Sequence, residues 1–261
     1  MTFDLVVATV DRVDELEALL SSLERQTHRD FRVIAVDQNE DDRIMRVVSA
    51  HPSLQLERLR AGRGLSRARN AALPHLHADV IAFPDDDCVY PEDLLERVAA
   101  RLRSGLDGVT GREPWWTTGA AALTRDNLWN RAISSTIFLR RELIERVGAF
   151  DESLGLPSSS GEEIDYLIRA LDAGARVEYD PALVVLHPQK PVDRAAVGAR
   201  DGASIGYILR KHGYPASVVA RMLLRPAGGA VLHPRRARFH LATLRGRMQG
   251  YRESTSSKTS A

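Results

Sequence analysis

The stretch DVIAFPDDDCVYPEDLLERVAARLRSG, residues 79–105, joins an apolar run to a helical segment through three consecutive aspartates. The run at 79–84 is typical of a buried strand, and the spacing of apolar residues in 91–105 predicts an amphipathic helix. The aspartates at 85–87 repel one another, and burying even one carboxylate without a partner is unfavourable, so this motif needs a counter-charge. Two interpretations stay open: a divalent cation bound by carboxylate oxygens, or an acidic turn that faces water.

The same strand-helix pattern occurs three more times before this stretch. The runs LVVATV (5–10), FRVIAVD (31–37) and LQLERL (54–59) are each followed by a segment of helical periodicity. Four such units in succession predict a Rossmann-like α/β fold, with a mostly parallel central sheet and helices on both faces. In open sheets of this kind, ligands bind beyond the carboxyl ends of the strands.

Polar residues stand where three of these four strands end. Thr9 and Asp11 follow the first strand, Asp37 ends the second, and the aspartates at 85–87 follow the fourth. Because the carboxyl ends of parallel strands lie at one edge of the sheet, we expect these residues to converge on one crevice.

Composition sets broad limits on the class of protein. The chain has 261 residues, of which 44% are hydrophobic and 27% charged, as in ordinary globular proteins. No apolar run approaches the roughly 20 residues of a membrane helix, and the N-terminus lacks the pattern of a signal peptide, so we expect a cytoplasmic protein. Cys88 is the single cysteine, which excludes an internal disulfide and a cysteine-cluster metal site, and we assign it no role.

Charge is distributed unevenly along the chain. Residues 1–199 hold 24 Lys and Arg against 33 Asp and Glu (24 − 33 = −9), whereas residues 200–261 hold 12 against 2 (12 − 2 = +10). The basic tail therefore predicts an anionic contact: a membrane surface that makes the protein peripheral at its inner face, or the acidic body of the chain itself. Nucleic acid is an unlikely partner, because no recognised binding motif accompanies the charge.

Several motifs, taken in order, resemble the family 2 glycosyltransferases of the GT-A fold over residues 5–188. They are VVATVDR, SLERQTHRDFRVIAVDQ, GLSRARNAAL, FPDDDCVYP, LRRELIERVGAFDE and GEEIDYLIR. The resemblance implies a glycosyltransferase domain at 1–190, with a nucleotide-sugar binding half at about 1–111 and an acceptor and catalytic half at 112–190. Beyond the residues that carry the resemblance, charge and composition predict a basic, helical extension at 191–252 and a disordered tail at 253–261.

The resemblance implies a nucleotide pocket at the ends of the first two strands. Thr9, Asp11 and Asp37 would bind the nucleotide-sugar donor there. Arg69, in the RN pair, would contact the diphosphate of the donor; the residues alone leave open a surface arginine that begins a helix. Many relatives carry a second acidic residue, tied to uracil, where this chain has Gln38, so the base of the donor is not assumed to be uracil.

The resemblance also assigns the aspartate motif to the ribose and to a divalent cofactor, Mg2+ or Mn2+. Asp87 is the first choice of metal ligand and Asp85 the second, while Asp85 or Asp86 would face the nucleotide or act through water. His187, where many relatives have a late histidine, would complete the metal shell; a structural histidine is the alternative.

The acidic pair in GEEIDYLIR is assigned to catalysis by the same resemblance. Glu163 would be the catalytic base and Glu162 a supporting residue, although relatives usually carry a glutamate-aspartate pair here. Both also fit ordinary helix-start chemistry, because the helix dipole favours negative charge in the first turn. Asp165 stands four residues before Arg169, a spacing suited to an ion pair on the helix surface.

The implied reaction is an inverting transfer of sugar from a nucleoside-diphosphate sugar to a hydroxyl of a sugar or lipid-linked acceptor, in cell-surface polysaccharide or glycolipid synthesis. A metal would stabilise the leaving diphosphate while a carboxylate deprotonates the acceptor. The alternatives are a sugar nucleotidyltransferase, which would be expected to carry a glycine-rich basic loop after the first strand, and a non-catalytic domain of the same fold that binds nucleotide sugars.

Overall fold

Eight strands and nine α-helices are found in the part of the chain that the computed structural model describes, which is residues 1–116, 118–155, 160–188 and 193–253. The strands are β1 Phe3–Thr9, β2 Phe31–Asp37, β3 Leu56–Arg60, β4 Val80–Ala82, β5 Gly108–Arg112, β6 Ala121–Ala122, β7 Ile137–Arg140 and β8 Val177–Val184. The helices are α1 Val13–Glu24, α2 Met45–Ala50, α3 Leu65–Ala72, α4 Leu94–Leu102, α5 Arg141–Val147, α6 Glu162–Asp172, α7 Arg194–Lys211, α8 Ala216–Leu232 and α9 Ala237–Glu253. Of the tail predicted at 253–261, Glu253 ends α9, and 254–261 lie outside the described residues.

The strands form one sheet in the order β3-β2-β1-β4-β7-β5-β8-β6. The pairs β1–β2, β1–β4, β2–β3 and β5–β8 are parallel, whereas the pairs that involve β7 or β6 are antiparallel. The predicted α/β fold with a mostly parallel sheet is therefore confirmed. Because β4 and β5 both run antiparallel to β7, their carboxyl ends lie at the same edge as those of β1 and β2.

The sheet belongs to the first of two compact units, Met1–Glu152 together with Tyr166–Gln189. Its strands β1 and β2 are almost wholly buried, as expected of strands covered on both faces. Leu16, Leu19, Leu20 and Leu23 of α1 repeat at three- and four-residue spacing, and all four are fully buried against this core. The periodicity of α1 thus fixes which face it turns to the sheet.

The second unit, Ser153–Asp165 together with Lys190–Ala261, is helical. In this unit α7 and α9 pack side by side in the same direction, with glycines at the contact. Gly202 of α7 lies against the backbone of Thr243, and Gly206 lies against the backbone of Arg247. A methyl group at Gly206 would overlap the backbone oxygen of Arg247, so these helices approach as closely as glycine allows. No helix among the described residues is both long and apolar enough to cross a membrane.

Candidate active site

The carboxyl ends of β1, β2 and β4 meet at one place, as the sequence predicts. Ala8 of β1 forms a parallel bridge with Asp85, and the amide of Gln38 donates to the carbonyl of Thr9 at 3.0 Å. The amide of Asp11 donates to the side-chain oxygen of Asn39 at 2.8 Å. The ends of the first two strands and the aspartate motif therefore lie together at the edge of the sheet where the sequence predicts a crevice.

Arg12 supplies a counter-charge to the aspartate motif. Its Nη1 lies 2.7 Å from Asp86 Oδ1 and 3.0 Å from Asp87 Oδ2. The two carboxylates are only 6% and 5% exposed, whereas the Arg12 side chain is 43% exposed. Burial raises the pKa of Asp86, and the nearby guanidinium opposes that shift. The interpretation of these two residues as a turn that faces water is therefore wrong.

His187 is a second cationic partner of the motif. Two backbone hydrogen bonds of 2.7 and 3.1 Å between Val89 and Leu186 hold the segment after β8 against the segment after the aspartates. His187 Nε2 consequently lies 2.8 Å from Asp87 Oδ1. The hydrogen bond to Asp87 raises the pKa of His187, although partial burial acts in the opposite direction.

Glu113 lies on the far side of the His187 ring. Its Oε1 is 3.5 Å from His187 Nδ1, and burial raises the pKa of its carboxyl group. The imidazole is thus held between the carboxylates of Asp87 and Glu113, an arrangement that fixes the orientation of a histidine. Sequence analysis missed Glu113; the signal was its position immediately after β5, a strand that ends at the same edge of the sheet.

Arg69 is buried beneath the motif and is not a surface residue. Its guanidinium lies over the rings of Phe83 and Phe150, with 5.5 and 5.4 Å to the ring centroids. Nη2 donates to Ser134 Oγ and lies 3.7 Å from Asp85 Oδ1. Arg69 therefore places a fixed positive charge beside Asp85, and its interpretation as a surface arginine that begins a helix is wrong.

Asp37 is completely buried at the end of β2. Its Oδ2 accepts hydrogen bonds from Arg58 at 2.9 and 2.5 Å, and its Oδ1 accepts from the backbone and the side chain of Asn39 at 2.9 and 2.7 Å. Asp37 therefore organises the floor of the crevice through Arg58 and Asn39. Its contact with a donor stays a prediction.

Asp11 stands at the mouth of the crevice in a left-handed backbone conformation, with φ of 59°. Aspartate tolerates this region better than most residues, and such backbones are common at functional sites. Its carboxylate joins two arginines, because Oδ1 lies 2.6 Å from Arg43 Nη1 and Oδ2 lies 2.8 Å from Arg63 Nη2. The crevice is therefore bordered by guanidinium groups as well as by carboxylates.

The carboxylate oxygens of the motif fit a hard divalent cation, and the imidazole of His187 is a ligand of the kind that transition metals accept. Mg2+ sites typically use one or two carboxylates and complete their coordination with water and phosphate oxygens. The described residues contain no preformed group of three or more His, Cys, Asp or Glu side chains arranged for a metal ion. Since Arg12 already bonds to Asp86 and Asp87, an ion at the motif would have to compete with that guanidinium for their oxygens.

Glu162 and Glu163 open α6 and lie in the second unit. Gly161 precedes them with φ of 85°, a conformation that favours glycine, and Glu162 is buried while Glu163 is half-buried. The preceding loop is tied to α7, because the amide of Ser160 donates to Ser204 Oγ at 2.9 Å. The chain thus fixes the start of the helix that carries both glutamates.

Asp165 is buried in the second unit and is not on the helix surface as predicted. Its Oδ1 lies 2.7 Å from Lys211 Nζ and 2.7 Å from His212 Nε2, both at the end of α7. The four-residue spacing to Arg169 suggested an ion pair on the helix surface. Tertiary packing instead places two cationic groups of another helix next to the carboxylate of Asp165. Asp165 therefore joins α6 to α7.

Two solved structures share the fold of this chain. The mannosyltransferase PcManGT from Pyrobaculum calidifontis, solved with GDP-Man and Mn2+, has a TM-score of 0.72 and 17% identity, and the match covers 95% of this chain and 86% of that one. S. aureus TarS 1-349, solved with UDP-GlcNAc, has a TM-score of 0.64 and 17% identity, with 97% and 92% covered. These likenesses confirm the predicted GT-A fold.

The sequence itself defines the family. The model of glycosyl transferase family 2 matches residues 4–150, and the chain belongs to that family. Its relatives include glycosyltransferase AglE of Haloferax volcanii, 23% identical over 71% of this chain and 66% of the relative. The pre-mycofactocin glycosyltransferase of Mycobacterium tuberculosis is 28% identical over 71% of this chain. The chain spans 42% of the length of that mycobacterial relative, and slightly less than two thirds of the haloarchaeal one.

Proposed function

We propose that this chain transfers a sugar, with inversion, from a nucleoside-diphosphate sugar to a hydroxyl acceptor with the help of Mg2+ or Mn2+. The observation that carries the proposal is the buried Asp86 and Asp87 pair, which meets Arg12 and His187 at the ligand-binding edge of the sheet in a family 2 chain. The ligands of two structural neighbours, GDP-Man with Mn2+ and UDP-GlcNAc, support a donor of this class.

The divalent ion would be held by Asp87, Asp85 and His187. When bound, it would neutralise charge on the diphosphate leaving group. Glu113 would keep His187 oriented toward Asp87, as carboxylates do for metal-bound histidines. Arg12, once released from the carboxylates, would remain at the crevice as a donor to phosphate oxygens.

The diphosphate would meet a crevice bordered by arginines. Arg43 and Arg63 border its mouth, and Arg69 stands beside Asp85. Guanidinium groups match phosphate oxygens in geometry and charge. Thr9, Asp11 and Asp37 would shape the nucleotide pocket, with Asp37 acting through Arg58 and Asn39.

We assign the catalytic base to Glu163 and a supporting role to Glu162. Asp165, the other nearby carboxylate, is committed to Lys211 and His212 in a buried cluster. Glu163 is half-buried in the first turn of α6, where the helix dipole favours the ionised form that a base requires. Direct displacement with one base inverts the anomeric centre and needs no covalent intermediate.

The acceptor we propose is a hydroxyl of a sugar or of a lipid-linked sugar, used in cell-surface polysaccharide or glycolipid synthesis. A protein with such an acceptor would benefit from contact with a membrane surface. A radiolabelled donor and a mixed pool of lipid extracts and oligosaccharides would test this role. Label in the lipid or polymer fraction supports it, and label confined to a small soluble acceptor contradicts it.

The reaction is tested by incubating the purified chain with a panel of UDP-, GDP- and dTDP-sugars in Mn2+ and following binding and slow hydrolysis. Metal-dependent release of a nucleoside diphosphate and free sugar is the expected result. Production of nucleoside triphosphate from a nucleotide sugar and pyrophosphate would indicate a nucleotidyltransferase. Tight binding without turnover, with or without acceptors, would indicate a non-catalytic domain.

The base is tested by comparing Glu163→Gln with Glu162→Gln and Asp165→Asn. Glu163→Gln preserves shape and removes the basic oxygen, so it should leave donor binding nearly intact and reduce transfer by roughly 10²-fold or more. Near wild-type transfer by Glu163→Gln, together with an inactive Glu162→Gln or Asp165→Asn, would show that a different carboxylate is the base.

A further inference from the structure

The outer faces of α8 and α9, in the second unit, combine exposed apolar side chains with arginines. On α8, Leu224 and Val231 stand two helical turns apart on one face and are 65% and 78% exposed, and the adjacent Leu232 is 76% exposed. Apolar side chains exposed together form a patch, and a contiguous exposed apolar patch can mark an interaction surface.

The outer face of α9 alternates charge and apolar surface. Arg238, Leu241, Arg245, Met248 and Arg252 follow one another at spacings of three and four residues, which places them on one face. All five are exposed. The opposite stripe of α9, with its buried glycines, packs on α7, so packing within the unit does not use the exposed face.

The charge on this part of the chain is almost entirely positive. Residues 202–252 contain ten Lys and Arg and no Asp or Glu. The turn between α8 and α9 adds Arg235 and Arg236, both exposed, next to Val231 and Leu232. The face therefore offers apolar side chains framed mainly by positive charge, and Glu253 at the end of α9 is the one carboxylate on these two helices.

We propose that this face, defined by Leu224, Val231, Leu232, Leu241 and Met248 with their surrounding arginines, docks the protein on an anionic phospholipid membrane. A membrane interface accepts apolar side chains below its headgroups and attracts arginine to them, so it complements both features at once. A nucleic acid would match the charge but would leave the apolar side chains in water. A second copy through the same face would bring like charges together. The proposal does not depend on the proposed transfer reaction.

The test is sedimentation of the full chain with vesicles of phosphatidylcholine alone or with 30% phosphatidylglycerol. We expect binding to the anionic vesicles, weak binding to the neutral ones, and a decline as salt rises, because each basic residue at the surface is screened. Equal binding to both vesicle types, or none to either, overturns the proposal without any mutation.

Two variants locate the contact. The triple change Arg235→Gln, Arg236→Gln and Arg238→Gln should weaken partition into anionic vesicles by roughly 10²-fold, and Val231→Ser with Leu232→Ser should weaken it by at least 10-fold. These side chains are exposed, and a melting curve checks that each variant folds.

A matched control removes three exposed arginines from the first unit: Arg29→Gln, Arg46→Gln and Arg103→Gln. It changes net charge equally and should leave vesicle binding within about 3-fold of wild type. An equal loss in the control would show that overall charge, not this face, attracts the vesicle. Tighter binding to duplex DNA than to anionic vesicles at the same salt, or a change of oligomeric state by Val231→Ser with Leu232→Ser in lipid-free buffer, also overturns the proposal.

Discussion

Arg12 bonds to both Asp86 and Asp87 of the aspartate motif, and its removal should therefore make stability depend on a divalent metal. The change Arg12→Met keeps an unbranched apolar stem and removes the guanidinium that lies 2.7 Å from Asp86 and 3.0 Å from Asp87. Both carboxylates stay buried, and His187 stays bonded to Asp87. Mn2+ offers the same carboxylates a replacement charge.

The magnitude follows from burial of the pair. Removing one partner of a fully buried ion pair costs about 3–5 kcal/mol, and because Arg12 is partly exposed we expect about 1–3 kcal/mol. For a chain of this size that corresponds to a fall in Tm of roughly 2–12 °C in EDTA. Saturating Mn2+ should raise the Tm of the variant more than that of the wild type and reduce the difference by at least half.

Differential scanning calorimetry of both proteins, in EDTA and in Mn2+, measures this effect. Arg101→Met is the control, because Arg101 also joins two carboxylates, Glu178 and Asp180, and is similarly exposed but lies outside the motif. Its Tm shift should not respond to Mn2+. The reasoning is refuted if Mn2+ changes neither Tm, or if Arg12→Met is destabilised equally in EDTA and in Mn2+.

Three further predictions concern stability and access. Burial raises the pKa of Asp4, but hydrogen bonds from Arg32 and two backbone amides outweigh it and lower the pKa. The ionised carboxylate therefore stabilises the folded chain above about pH 4, and this contribution is lost as pH falls through the lowered pKa. Asp4→Asn should consequently have a lower Tm than wild type at pH 7 and approach the wild-type Tm below pH 4. A Tm difference that is constant from pH 3 to 7 would contradict this. Burial also raises the pKa of Cys88, so a thiol reagent should label it only after unfolding, and stoichiometric labelling of native protein within minutes would contradict that. Gly206→Leu should lower the Tm by several degrees, because α9 leaves no room for a side chain at that position. Gly228→Leu, on an open face of α8, should not lower it. Equal Tm values for the two variants would argue against the close packing of α7 and α9.

Local periodicity was enough to predict the sheet. Strand β2 begins at Phe31 and ends at Asp37, as the run FRVIAVD indicates, and the leucines of α1 that repeat at helical spacing are the ones that the structure buries. The convergence of Thr9, Asp11 and the aspartate motif followed from a topological rule, because parallel strands that end in polar residues place them at one edge.

The partners of the site residues could not be predicted in the same way. The sequence indicated that the motif needs a counter-charge but did not indicate which residues supply it. Arg12 and His187 do so through contacts with Asp86 and Asp87 that span 74 and 100 positions of the chain. For Asp165, the sequence predicted a partner and the prediction was wrong. Local spacing suggested an ion pair with Arg169, whereas in the structure the carboxylate pairs with Lys211 and His212. The periodicity of a sequence shows which face of a helix or strand is buried. The partner of a buried polar side chain depends on which distant residues the fold places against that face.

The central claim is that the aspartate motif binds a nucleoside diphosphate through a divalent metal, and Asp87→Ala tests it most directly. Titration calorimetry with UDP and GDP, in Mn2+ and in EDTA, would compare this variant with wild type and with Asp79→Ala, an exposed aspartate immediately before β4 at the opposite edge of the sheet. We expect wild type and Asp79→Ala to bind at least one of the nucleotides in Mn2+ only, and Asp87→Ala to bind it at least 10-fold more weakly, a difference of about 1.4 kcal/mol or more. Undiminished, Mn2+-enhanced binding by Asp87→Ala would contradict the account.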